Sequence, residues 1–237
     1  MGTLENVPRY MPMLESLNTV KDALPYLLQG GLITIVIVVG AMALGLVLGL
    51  SMAVGQVYGG KAIKRIIGTY IWFFQGIPVL VLLFLFYFGL FTYLGLNISA
   101  VAAVMVVLGM TTAAYQANIF RGAILSLPSG QFKAAAALGM SDFQAITTIV
   151  LPQVLRLSIP AWSNEFSIIL KDSALAFVLG APEIMARAKF VASRTYQHLP
   201  MYIAAGIIYF ILTWAGVTAL KKLEKKVRIP GYSNKGI

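Results

Sequence analysis

The chain of 237 residues is 59% hydrophobic and only 11% charged. Soluble domains carry about 25% charged residues, so lipid rather than water must surround most of this one. It has no cysteine and a single histidine, His198, which excludes disulfides, thiolate chemistry and multi-histidine metal centres. The net charge of +10 could suit nucleic acid, but the positions of the basic residues point to one side of a membrane.

In chain order, residues 1–26 hold Glu5, Pro8, Arg9, Glu15 and Asp22 and no apolar core. They read as an extracytoplasmic N-terminal segment, not as a signal peptide. Five runs then have the roughly 20 apolar residues needed to cross hydrocarbon: 27–54, 70–90, 98–118, 157–180 and 201–220. In the first, Gly40, Ala41, Gly45 and Gly49 suit the close helix packing that small residues permit in membranes. Residues 27–220 thus read as one all-α membrane domain of about five spans, followed by a basic tail, 221–237.

Five spans put the termini on opposite sides. The loops 55–69 and 119–156 and the tail carry twelve of the 18 Lys and Arg, with only Asp142 and Glu224 as acids. The other side, residues 1–26, 91–97 and 181–200, carries five basic and four acidic residues. The basic side is cytoplasmic, so the C-terminus is expected inside and the N-terminus outside. The tail sequence "KKLEKKVR" reads as a stop-transfer anchor in preference to a lipid- or nucleic-acid-binding patch.

The longest cytoplasmic loop contains "FKAAAALGMSDFQAITTIVLP", residues 132–152. Ala134 to Ala137 are strong helix formers of little bulk. Gly139 is placed to end that helix, and Ser141 to cap a second short one. The expected result is a knuckle on the membrane face whose Ala and Gly crest enters a groove of another protein.

The same stretch resembles the coupling loop of inner-membrane subunits of ATP-binding cassette importers, which reads E-A-A, three residues, Gly, nine residues, Ile, one residue, Leu-Pro. Here Ala134, Ala135, Gly139, Ile149, Leu151 and Pro152 stand at that spacing, with Lys133 in place of the acid. The chain is similar to the polar amino acid branch in "GGLITIVIV", in "YIWFFQGIPVLVLLFLFYFGL" with Gln75 for Arg, and in "AAYQANIFRGAI" with Asn118 for Glu. "NEFSIILKDSAL" resembles its Lys-Asp-Ser/Thr signature, and the region of Tyr209, Leu223 and Glu224 its ending. The resemblance implies a type I importer fold and a dimer of permease subunits, either two copies or a paralogous pair. It also implies two cytoplasmic ATPase subunits holding ATP and Mg²⁺, and an extracytoplasmic amino-acid-binding protein. No cofactor is expected in this chain, which has no G-x-x-x-x-G-K-S/T phosphate loop of its own.

Ionisable residues inside a span are costly and usually face a cavity or a partner. Three lie within the runs above: Glu165, Lys171 and Asp172. Glu165 and Asp172, seven apart, share a helical face, and Asn164 and Lys171 an adjacent one. A zwitterionic amino acid needs an anion near its ammonium and a cation or helix N-terminus near its carboxylate, which this helix offers. The competing reading gives Lys171 and Asp172 a structural or gating role and has Glu165 bond a neighbouring helix. If Lys171 neutralises Asp172, Glu165 is left as an unpaired carboxylate, and a cationic cargo such as arginine, lysine or histidine would satisfy it. Gln116 and Asn118, at the end of the third span, are weaker candidate contacts, since amides there often cap a helix, and His198 reads as a surface residue.

The leading expectation is a permease for polar amino acids with a lean towards basic ones. Carriage of neutral or acidic amino acids is the nearest alternative. From other classes come an ATP-independent channel, which needs no knuckle, and a membrane enzyme, for which clustered His, Asp and Glu are lacking.

Overall fold

The structure, a computed structural model, describes residues 13–228. Glu5, Pro8 and Arg9 of the expected outer segment and residues 229–237 of the tail lie outside them. Helix α1, Met13–Tyr58, starts well before the expected 27, and its 46 residues extend about 69 Å at 1.5 Å each. That is more than twice the roughly 30 Å of hydrocarbon, so α1 reaches beyond it. Its main partner is α4, Ala100–Ser126, started by the Ser99 hydroxyl accepting from the Ala102 N–H at 3.3 Å. Small residues let the two backbones close up. A Cβ at Gly45 would stand 2.5 Å from the Gln116 amide nitrogen, and one at Gly109 would stand 2.7 Å from Leu44. Ile37, Ala41, Val107 and Leu108 on this seam are buried to 0% exposure.

The second span, expected over 70–90, is not one straight helix. It breaks into α2, Lys61–Gly76, and α3, Val79–Phe84 with wider π turns to Phe91, at 106° to each other. Pro78 causes the break. It has no N–H to donate and bars the preceding residue from helical angles, and Ile77 is extended at φ −111°, ψ 132°. With that bent pair taken as one, the described residues contain five apolar spans, and otherwise four.

Short helices α5, Ser129–Ala137, and α6, Asp142–Ala145, follow, then a π turn into α7, Leu151–Asp172. A 3₁₀ stretch, Ser173–Leu179, ends at left-handed Gly180 (φ 84°). Residues 181–200, expected as an outer loop, contain a further helix, α8, Ile184–Thr195, packed on α1 and α9 through Ile184, Ala188 and Ala192. Helix α9, His198–Val227, carries most of the basic tail as a continuous helix. A third apolar cluster, Ala53, Phe120, Ile124, Val150 and Val154, joins α1, α4 and α7 beneath the α5–α6 loop.

Candidate functional site

Two regions carry the chemistry, one on α7 and one in the α5–α6 loop. On α7 the residues divide by face as the seven-residue spacing requires. Asn164 and Lys171 are exposed, together with Pro160, Ala161 and Ile168 at helical spacing. Glu165 is 4% exposed and Asp172 is half-buried.

Glu165 is not unpaired. The Thr112 hydroxyl of α4 donates to its Oε1 at 2.6 Å. Thr112 in turn accepts from the Gln116 amide at 3.2 Å, and the Gln116 oxygen accepts from the Trp162 indole N–H at 2.8 Å. The Gln116 amide also points at the Met42 carbonyl of α1, 3.4 Å away. Gln116 is therefore a buried tie among α1, α4 and α7 in mid-helix, and not a cap at the end of the third span. The Thr112 and Gln116 pair, four apart in an apolar helix, is the signal that finds this network, since interhelical hydrogen bonds hold membrane helices together. Asn118, by contrast, is exposed on α4 and Gln75 is half-buried near the α2–α3 break.

A second buried polar cluster lies at the start of α8. Glu183, at 0% exposure, caps α8 by accepting from the Met185 and Ala186 N–H groups at 2.7 and 2.6 Å, and it accepts from the Tyr209 hydroxyl of α9. Burial pushes its carboxyl above the usual range, and these donors pull it part of the way back. Glu is a rare N-cap and stands here in an apparent loop, so nothing in the sequence alone marks it as buried. His198 is exposed, as expected.

In the loop, α5 ends in a Schellman turn: Met140 N–H bonds to the Ala135 carbonyl, Gly139 N–H bonds to that of Ala136, and Gly139 is left-handed at φ 76°. Ser141 caps α6 in a reciprocal box with Gln144. The base is fixed to the membrane helices by Phe132 stacked on Tyr58, with centroids 5.5 Å apart, and by paired amides of Gln131 and Gln153 at 2.7 and 3.1 Å. The crest presents the expected small residues, with bulk added among them. Lys133, Ala134, Ala136, Ala137 and Gly139 are exposed and Pro152 likewise, but Ala135 is buried, and Ile149 and Leu151 are half-buried. The most exposed large apolar groups of the loop are Leu138 at 81% and Phe143 at 75%, which stand beside the exposed Ala and Gly.

Residues 45–229 match the model of the family "Binding-protein-dependent transport system inner membrane component". The chain is 35% identical over 205 residues to the probable amino-acid ABC transporter permease protein YckA of Bacillus subtilis, covering 86% of this chain and 90% of that one. It is 33% identical over 215 residues to the histidine/lysine/arginine/ornithine transport system permease protein HisM of Escherichia coli, covering 85% and 88%. Its fold superposes with a TM-score of 0.79 on a chain from the crystal structure of an amino acid ABC transporter with histidines, at 31% identity over 92% of this chain and 99% of that one.

Proposed function

The chain belongs to the family of binding-protein-dependent transport system inner membrane components and is an amino acid ABC transporter permease; within that class we propose that it carries polar amino acids with a lean towards basic ones. It has the type I importer fold and is a multi-pass membrane transport subunit, not an enzyme. Its family works with ATPase and binding-protein partners.

The finer reading adds the following. Two cytoplasmic ATPase subunits bind ATP and Mg²⁺ and press on the α5–α6 knuckle through Lys133 to Pro152. A second permease subunit, a copy or a paralogue, faces α7, and an extracytoplasmic protein delivers the amino acid. The C-terminus is cytoplasmic and the N-terminus outside.

The observation that carries this reading is the exposed face of α7. Lipid does not accommodate Asn164 and Lys171 in mid-span, so a partner subunit or an aqueous path must meet them. With Glu165 and Asp172 beside that face, a cargo's ammonium and carboxylate both find a counter-charge. Two acids against one cation favour a basic cargo, as does the basic amino acid transport named for the Escherichia coli relative. The bond from Thr112 favours a second role for Glu165 as a helix tie, and the two roles separate by experiment.

The chain has no cysteine, so Asn164→Cys or Lys171→Cys introduces the only thiol of this subunit, and labelling is read on this subunit's band. In the assembled transporter a water-soluble maleimide should label it, and a transported amino acid should slow the labelling. Thiols inert to the reagent in every state would remove this face from the pathway.

A further inference from the structure

A groove of about 270 Å³ lies between α7 and α9, over α1 and α4. That is just short of the roughly 300–1,000 Å³ of small-molecule pockets, so it suits a single hydrocarbon tail better than a whole polar metabolite. Its walls include Leu46, Phe120, Leu155, Trp162, Leu223 and Val227. Leu155 and Leu223 are exposed and stand at its mouth.

Two lining groups are polar. Arg156 is exposed. Ser158 is only 2% exposed, and its hydroxyl has no hydrogen-bond partner among the described residues, an arrangement that is costly in an apolar setting unless an acceptor arrives. The turns of α9 that supply Leu223 and Val227 also carry Lys221, Lys222, Lys225 and Lys226, all exposed, against one acid, Glu224.

A ligand for this place needs an apolar tail, an acceptor near the tail's root and a negative head. We propose that the groove binds one acyl chain of an anionic phospholipid, drawn from the leaflet that meets the basic end of α9. Arg156 and the flanking lysines hold the phosphate, and the Ser158 hydroxyl donates to an ester carbonyl. Charge complementarity favours this occupant over a second copy of the chain. A copy would bring the same cluster of lysines against this one, and like charges so placed repel. The site is separate from the α7 face of Asn164 and Lys171, so it stands or falls independently of the cargo.

Trp162 lines the groove and is one of three tryptophans. Trp72→Phe with Trp214→Phe leaves it as the only tryptophan of this chain, and the triple variant that also carries Trp162→Phe gives the background from the other subunits. The full chain, with the subunits that co-purify, is placed in phosphatidylcholine vesicles containing rising fractions of phosphatidylglycerol or phosphatidylcholine brominated on the acyl chains. The brominated anionic lipid should quench Trp162 at several-fold lower mole fraction, since each basic residue near the surface contributes roughly fivefold. Arg156→Gln should reduce that preference, Arg156→Lys should keep it, and Ser158→Ala should weaken quenching by the anionic lipid. Equal quenching by the two lipids would overturn the site as ordinary boundary contact. No quenching by either would overturn it in favour of a groove sealed by a neighbouring subunit, and equal loss in Arg156→Lys and Arg156→Gln would remove the charge argument.

Discussion

The indole N–H of Trp162 on α7 donates to the side-chain oxygen of Gln116 on α4 at 2.8 Å, and Gln116 lies where Gly45 and Gly49 of α1 leave room for it. One amide thereby joins three helices, and it reaches Glu165 through Thr112. Every link in this chain is interhelical or one helical turn long, so its loss loosens packing before it touches chemistry.

Gln116→Leu keeps the approximate volume and removes both donor and acceptor, leaving the Trp162 N–H without its partner. Leaving a buried donor unsatisfied costs about 1–3 kcal/mol. Trp162→Phe deletes one interhelical bond, for which about 0.6 kcal/mol is the membrane average, and leaves the Gln116 oxygen without that donor, whereas Gln116→Leu also breaks the bonds to Thr112 and Met42. Unfolding in mixed detergent should therefore rank wild type above Trp162→Phe above Gln116→Leu. Equal midpoints for all three would show that the network contributes no stability.

Glu165 separates into two roles by paired substitution. As a cargo contact, Glu165→Gln loses a charge-assisted hydrogen bond of roughly 1.5–3 kcal/mol, so apparent affinity in substrate-stimulated ATPase assays should fall about tenfold or more. Thr112→Val removes the tie to Glu165 together with the acceptor of the Gln116 amide but keeps the carboxylate, so it should lower stability while leaving the affinity for each amino acid within about twofold. If Glu165→Gln leaves every apparent affinity unchanged at normal expression, Glu165 is scaffold.

Gly139 is left-handed with open space around it, so a substitution there is strained by backbone and not by a clash within the chain. Leu in that conformation costs roughly 1–2 kcal/mol, whereas Asn tolerates it. Gly139→Leu should insert normally but uncouple ATP hydrolysis from transport, and Gly139→Asn should stay coupled. Replacing Leu138 and Phe143 together with Ser should reduce co-purification of the ATPase without affecting insertion, while Lys133→Glu should be tolerated. Normal coupling in Gly139→Leu would exclude the docking role.

Orientation rests on the Lys and Arg asymmetry alone. An epitope after Ile237 should be reached only from the cytoplasm, and one after Gly2 only from outside. Both epitopes on one face would remove the five-span arrangement.

Spans with long apolar runs were legible in the sequence because membrane crossing needs little beyond length and hydropathy. So were Gly139 and Ser141, whose residue types dictate a left-handed stop and a cap. Pro78 carried the signal for the break at Ile77, but a hydropathy reading over 70–90 averages across it. The faces of α7 followed from the seven-residue spacing of Glu165 and Asp172. That Glu165 meets Thr112, and that Glu183 lies buried against Tyr209, did not follow, since both depend on which helices become neighbours. Leu138 and Phe143 carry no signal of their own in a loop whose composition is dominated by alanines and glycine, and only the fold stands them outward beside Ala134, Ala136, Ala137 and Gly139.

Uptake by the complete transporter in sealed vesicles, with its ATPase and binding-protein partners, is the most direct measurement of the central claim. A panel of labelled arginine, lysine, histidine, glutamine and glutamate should show accumulation that needs ATP, with the basic amino acids transported best. Accumulation without ATP would contradict a coupled permease, and uptake confined to glutamine or glutamate would contradict the assignment of basic cargo.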